Sequence, residues 1–244
     1  MVKQLHIKRI LIILCLITLG IGGFLFWASA DIDSGVYIDT LSKGAESRRC
    51  VSLTFDDGPD EIMTPKVLDV LKKYNIKATF FIIGKKAERN PDIITRIVNE
   101  GHIIGCHSWS HECNFPLQSS TAIYNEICRC EELIFSLTGK TLNLFRPPFG
   151  VTNPLVAGAV KAKGYIPIGW SVRSYDTDEE QSREKVYNRV IRQLHNGAII
   201  LLHDRCDKAD ELVQLLIADL VQKDYEIINI DDMLDVEPYK NKVL

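Results

Sequence analysis

The chain has 244 residues, 29 basic and 32 acidic, a formal net charge of −3 and no basic block or stripe. That balance excludes a phosphate-neutralising surface, so nucleic acid is not an expected partner. Once an N-terminal leader is set aside, the remainder suits one large domain with a sizeable core.

The chain opens with Lys3, His6, Lys8 and Arg9, followed by an almost unbroken apolar run from Ile10 to Ala28. The run is long enough to approach a bilayer span, and its basic flank predicts a cytoplasmic start with everything after Trp27 exported. Residues 1–30 are therefore a signal-anchor or a signal peptide. The length favours a retained anchor, while Ala28-Ser29-Ala30 has the small-x-small form of a cleavage site. Cys15 lies in mid-run after the bulky Leu14, which argues against lipidation. Export permits disulfides among Cys50, Cys106, Cys113, Cys128, Cys130 and Cys206, although their pairing is not legible, and no CxxC pair suggests a zinc knuckle.

Residues 31–47 are polar and read as a linker or stalk. From residue 48 to about 235, short apolar runs alternate with amphipathic segments, the pattern of repeated β-α units. Strands are expected over 51–55, 78–83, 102–106, 142–145, 165–172, 198–202 and 225–230. Helices between them include one opening at Thr64-Pro65 and others that close on Gly101, Gly139, Gly164 and Gly197. Seven strands with intervening helices imply a parallel sheet covered by helices, closed into a barrel or doubly wound. Residues 236–244 form a C-terminal tail.

In such folds, functional groups gather where strands end at their C-terminal side. Asp56 and Asp57 close the first strand in "VSLTFDDGPD", and adjacent acids there call for a cation or a strong donor. Extended neighbours point to opposite faces, so the turn at Gly58-Pro59 is expected to bring both to one rim. His107 and His111 in "HSWSH" are four apart, on one face if the segment turns helically, and with one carboxylate they make a two-His, one-acid cation set. Arg146 opens "RPPFG", where a guanidinium could pair with Asp56. The two prolines leave Phe149 with the first free amide, a candidate oxyanion donor. Asp176 follows the fifth strand. His203 ends the apolar "AIILLHD" and suits a proton donor, with Asp204 as a cap. His102 and His195 read as structural. Trp170 reads as a strand residue, and Trp109 as either a sugar contact or ordinary packing.

The motifs "TFDDGP", "HSWSH", "RPPFG" and "LLH", in this order, resemble the polysaccharide deacetylases, the NodB-like domain of carbohydrate esterase family 4. The resemblance runs from about Leu53 to Asp204 and implies a distorted (β/α) barrel. By the same resemblance Asp56 is the catalytic base, Asp57, His107 and His111 bind the metal, Arg146 positions the base, Phe149 gives its backbone amide, and His203 is the acid tuned by Asp176. A two-His, one-carboxylate set points to Zn2+, with Co2+, Ni2+ or Mn2+ as alternatives. The implied substrate is an N-acetylated glycan, with peptidoglycan suggested by export to the cell envelope. An O-acetyl carbohydrate esterase and a non-catalytic glycan-binding relative are the competing readings. One motif departs from the family: "WSVRSYDT" keeps Asp176 but carries Arg173 where an acid is common and Thr177 where a tryptophan usually walls the acetyl group.

Overall fold

The computed structural model describes residues 2–178 and 180–240. Among these, the strands are β1 (Cys50–Gly58), β2 (Thr79–Ile82), β3 (Ile103–Cys106), β4 (Leu144–Phe145), β5 (Ile166–Pro167), β6 (Val172–Arg173), β7 (Ala198–His203) and β8 (Glu226–Ile227). The helices are α1 (Val2–Ala30), α2 (Met63–Lys73), α3 (Gly84–Arg89), α4 (Pro91–Asn99), α5 (Ser120–Thr138), α6 (Pro154–Lys163), α7 (Arg183–Gln193), α8 (Ala209–Gln222) and α9 (Ile230–Leu234).

All strand pairings are parallel, in the order β5-β4-β3-β2-β1-β7-β6, with β8 alongside the start of β1. The order decides between barrel and open sheet. The outermost strands, β5 and β6, come from one short stretch of chain, whose five residue steps from Pro167 to Val172 reach at most about 18 Å. Laid flat, seven strands would put those edges about 29 Å apart. The sheet therefore curls into an incomplete barrel, and the expected single strand 165–172 splits into two pieces on opposite sides of the seam.

The seam is filled by a segment that the sequence offers as a stalk. Leu41 bridges Ile168 and Lys43 bridges Ala198, while Ile32, Ile38 and Ser42 are buried. This segment lies against the barrel because its few apolar side chains cover the open edge. Gly169 leaves room for it, since a Cβ there would lie 2.2 Å from Ser42 Oγ. At the other end, Leu142 bridges Tyr239, and the Tyr239 hydroxyl accepts from the Ile104 amide.

All nine residues of β1 are buried, as expected of a strand covered on both faces. Val51, Leu53 and Phe55 enter the cluster beneath the helices with Leu68, Leu71, Ile94 and Ile127. Phe55 stacks on Phe80 at 5.0 Å between ring centroids. Side chains of this size each contribute about 1.5–3 kcal/mol on burial. The alternate residues Cys50, Ser52, Thr54 and Asp56 face the barrel interior, which is apolar at its base around Phe81, Leu144, Ile168 and Ile199. The alternation in "CVSLTFD" thus delivers a carboxylate to the upper end of the barrel.

Candidate active site

Asp56 and Asp57 share the rim through a bulge. The register of β1 against β2 shifts between Asp56 and Gly58, and Asp57 has φ 71°. A left-handed bulge residue re-aims its side chain without ending the strand. The strand in fact continues through Gly58, so the bulge accomplishes what was expected of the Gly-Pro turn. A Cβ on Gly58 would lie 2.4 Å from Asp204 Oδ2. Asp204 is fully buried, accepts from Thr64 Oγ1 at 2.6 Å, and is pushed up to about 7 by that burial. Its role is to lock the loop after β1, a larger one than the cap expected of it. Where α2 begins, one residue before the expected Thr64, Asp60 Oδ1 accepts from the Ile62 and Met63 amides at 3.0 and 2.8 Å.

His107 follows β3, and its Nδ1 lies 2.7 Å from the Arg146 carbonyl oxygen. That carbonyl can only accept, so the Nδ1 carries a hydrogen and the Nε2 is the ring nitrogen turned to Asp57. His111 joins it without a helical turn. Ser108 and His111 both have positive φ, 79° and 54°, and the His111 amide donates to Ser108 Oγ at 3.0 Å. From α5, Glu126 Oε2 accepts from the Trp109 amide, the Ser110 amide and the Ser110 hydroxyl. A carboxylate on a rigid helix fixes the loop, and no local sequence pattern announces it.

The Nε2 atoms of His107 and His111 lie 3.5 and 3.3 Å from Asp57 Oδ1. One ligand atom from each of the three residues falls within 4.8 Å of the others. Asp57 Oδ1 is buried and has no hydrogen-bond partner among the described residues, an expensive state unless something cationic completes it. Burial works against ionising Asp57, but the neighbouring imidazoles, His107 first and then His111 and His203, outweigh it and hold the carboxyl well below its usual range. Burial, then the charge of His107, lowers His111 to about 4, so at neutral pH it presents a neutral imidazole. A carboxylate and two imidazole nitrogens fit a borderline divalent ion such as zinc.

Two further pairs flank this set. Arg146, after β4, is completely buried. It donates to Asp56 Oδ1 at 2.8 Å, Thr54 Oγ1 at 2.8 Å, the Gly169 carbonyl at 2.7 Å and the Ile168 carbonyl at 3.3 Å, with Phe81 beneath its plane at 4.1 Å. Every face of the guanidinium is engaged. On the other side, His203 at the end of β7 has its Nδ1 2.7 Å from Asp176 Oδ1, and its amide donates to Asp176 Oδ2 at 2.8 Å. Burial alone would lower the imidazole, but the Asp176 hydrogen bond and charge raise it, helped by Asp56 and Asp57. Phe149 takes φ 61°, and its ring lies 4.6 Å from that of His111. Five non-glycine residues around the site, Asp57, Ser108, His111, Phe149 and Tyr175, hold positive φ. Backbone strain of this kind concentrates where geometry is imposed for function.

All eight residues picked out from the sequence meet in this region: six of them line one pocket of about 230 Å3, with Arg146 buried behind Asp56 and Asp176 behind His203. The structure adds others. Arg205 donates Nε to Asp57 Oδ2 at 2.9 Å, leaving Oδ1 to the histidines. Trp170 and Tyr175 line the pocket, so Trp170 is a wall residue in addition to a strand neighbour. Trp109 is packed in the core, 4 % exposed, under Arg129 at 3.7 Å, and makes no pocket wall. His102 is buried, accepts from the Ala78 amide and is lowered to about 4 by burial, as a structural histidine should be. Among the described residues the seven cysteines are unpaired.

A curled β/α barrel with a carboxylate-imidazole cation set between a buried Asp-Arg pair and an Asp-oriented histidine defines a hydrolase-type centre. The family model described as polysaccharide deacetylase matches residues 43–168. The peptidoglycan-N-acetylglucosamine deacetylase PgdA of Listeria monocytogenes is 35 % identical over 83 % of this chain, which spans only 42 % of that relative's length. The peptidoglycan-N-acetylmuramic acid deacetylase PdaA of Bacillus subtilis is 36 % identical, covering 80 % of this chain and 75 % of PdaA. Among solved structures, the peptidoglycan N-acetylglucosamine deacetylase Bc1960 superposes with a TM-score of 0.76 at 32 % identity, covering 82 % of this chain and 95 % of its own. The chain belongs to the polysaccharide deacetylase family.

Proposed function

We propose that the protein is a metal-dependent deacetylase that hydrolyses the acetamide of an N-acetylated sugar in peptidoglycan. The observation that carries this reading is the convergence on one pocket of an orphaned ligand oxygen, Asp57 Oδ1, with a base pair and an acid pair on either side. Glycan binding alone would require neither.

Asp57, His107 and His111 would hold the ion. When bound, a divalent cation supplies Lewis acidity to the acyl oxygen and lowers the pKa of water. Asp56, fixed by Arg146, takes the proton of the attacking water. The backbone amide of Phe149 faces the developing oxyanion. His203, protonated through its contact with Asp176, gives its Nε2 proton to the departing amine nitrogen. Asp176 acts through His203 as a positioning residue. Arg173 and Thr177, the departures from the family pattern, both line the pocket, while Trp170, Tyr175 and Phe149 supply the apolar wall.

The same wall bears on which sugar is taken. Arg173 lies 5.4 Å over Trp170 and 4.5 Å over Tyr175, and with Arg205 it gives the pocket a cationic side. A muramic residue carries its lactyl carboxylate on the carbon next to the acetamide, where such a side would meet it. The relatives act, by their names, on one sugar or the other. Acetate release by the zinc-loaded full chain should be faster on muramic-containing glycan than on N-acetylglucosamine oligomers, and absent from O-acetylated xylan. Release from the ester alone would replace the amidase reading with the esterase one.

A further inference from the structure

The far end of α1 is joined to the rim that carries the site. Ala28 is completely buried and its carbonyl accepts from Ser34 Oγ at 2.8 Å. The Ser29 carbonyl accepts from the Thr152 amide at 3.1 Å, and Thr152 Oγ1 reaches the Ala28 carbonyl at 3.4 Å. Before this point the helix leaves the barrel. Residues Ile10 to Phe26 are exposed throughout, although His6 to Ala30 is apolar enough to cross a bilayer, with a mean hydropathy of 2.6. Thr152 stands three residues after Phe149, so the pocket wall lies within about 11 Å of the point where the helix meets the domain.

Around that junction the rim is apolar where solvent would favour polar groups. Leu117 is 78 % exposed, Phe149 45 % and Leu155 39 %. Hydrogen bonds tie these residues into one surface: Asn153 donates to the Pro116 carbonyl, and Ser120 Oγ donates to the Leu155 carbonyl at 2.9 Å. The patch is therefore continuous with the exposed apolar helix α1. Lone exposed apolar residues are ordinary, but a group beside a bilayer anchor has an obvious apolar neighbour.

We propose that the bilayer surface is the occupant of this patch: the protein sits with Leu117, Phe149 and Leu155 against the lipid, and the pocket opens at the membrane surface. The substrate it meets is then glycan still close to the membrane rather than glycan in the outer layers of the wall. The proposal rests on reading α1 as a retained membrane helix, and it deepens the proposed activity by locating its substrate.

The test uses the full chain in lipid nanodiscs, with hydroxyl-radical footprinting read by mass spectrometry. Val221 serves as the internal reference, because it ends α8 on the opposite rim and is 58 % exposed. Leu117, though more exposed in the protein itself, should be oxidised about fivefold more slowly than Val221 once lipid covers it. The double variant Leu117→Asp and Leu155→Asp should release the patch from the lipid, so that Phe149, left intact and 45 % exposed, is oxidised faster relative to Val221 than in wild type, while acetate release from soluble oligomers is unchanged. Equal oxidation of Leu117 and Val221 in nanodiscs would overturn the proposal, as would a mature chain beginning at Asp31. Acetate release is measured on the same sample, so a dead enzyme with a protected rim sinks the deacetylase reading alone.

Discussion

Arg146→Met removes the buried cation and keeps an apolar side chain of similar length over Phe81. Three losses follow from the geometry. Asp56, 3 % exposed, loses its ion pair with a permanent cation at 2.8 Å, and an uncompensated buried charge costs about 3–5 kcal/mol. The carbonyls of Ile168 and Gly169 lose their donors, at about 1–3 kcal/mol each where water cannot enter. The sum is on the order of 5 kcal/mol or more, against the 5–15 kcal/mol that typically holds a domain folded. Urea unfolding followed by circular dichroism should show a midpoint displaced accordingly, with activity lost. Asp56→Asn added to Arg146→Met removes the stranded charge and should recover part of the loss, giving a favourable coupling in the double-mutant cycle. A single-variant cost below about 1 kcal/mol, or a double variant no more stable than Arg146→Met, would refute the claim that this pair is a mutually dependent buried unit.

Three other outcomes are expected. Asp56→Asn should abolish turnover and retain metal by elemental analysis, whereas Asp57→Asn should lose the metal itself; equal metal loss in both would void the division between base and ligand. His203 is raised above its ordinary value, so its protonated form, and the stability the Asp176 contact adds, are fully present below the unfolded histidine pKa and are lost as pH rises through the folded one. Asp176→Asn should therefore shift the alkaline limb of kcat/KM to lower pH and reduce the rate by about 100-fold or more; an unmoved limb would remove Asp176 from the acid's environment. Gly58→Ala drives a Cβ into the buried Asp204 carboxylate, 2.4 Å away, and should cost about 1–3 kcal/mol, read as a fall of roughly 3–10 °C in Tm; an unchanged Tm would show that the loop yields freely.

The strand-end acids and histidines were legible because a parallel β/α pattern collects its functional groups at one rim, and each motif closes a recognisable apolar run. Arg146 was legible through the prolines that follow it. The means of assembly were less so. The bulge at Asp57 and the left-handed turns at Ser108 and His111 depend on φ values that no side-chain pattern records, so a turn and a helix stood in their place. Glu126 and Arg205 reach the site from elements whose local sequence serves another purpose: one lies on a helix face, the other follows the strand-end motif. The seam was hidden for a topological reason. Residues 165–172 have the composition of one strand, but Gly169 to Ser171 cross between the two edges of the barrel, and Leu41 to Lys43 enter the gap without any strand-like alternation.

The central claim is that Asp57, His107 and His111 hold a divalent ion on which acetyl removal depends. Elemental analysis of the purified full chain, paired with acetate release before and after chelation, tests it most directly. A single divalent ion per chain is expected, with loss of acetate release on chelation and recovery on adding zinc. Undiminished release by the metal-free chain, or no release from any N-acetylated glycan by the metal-loaded one, would contradict it.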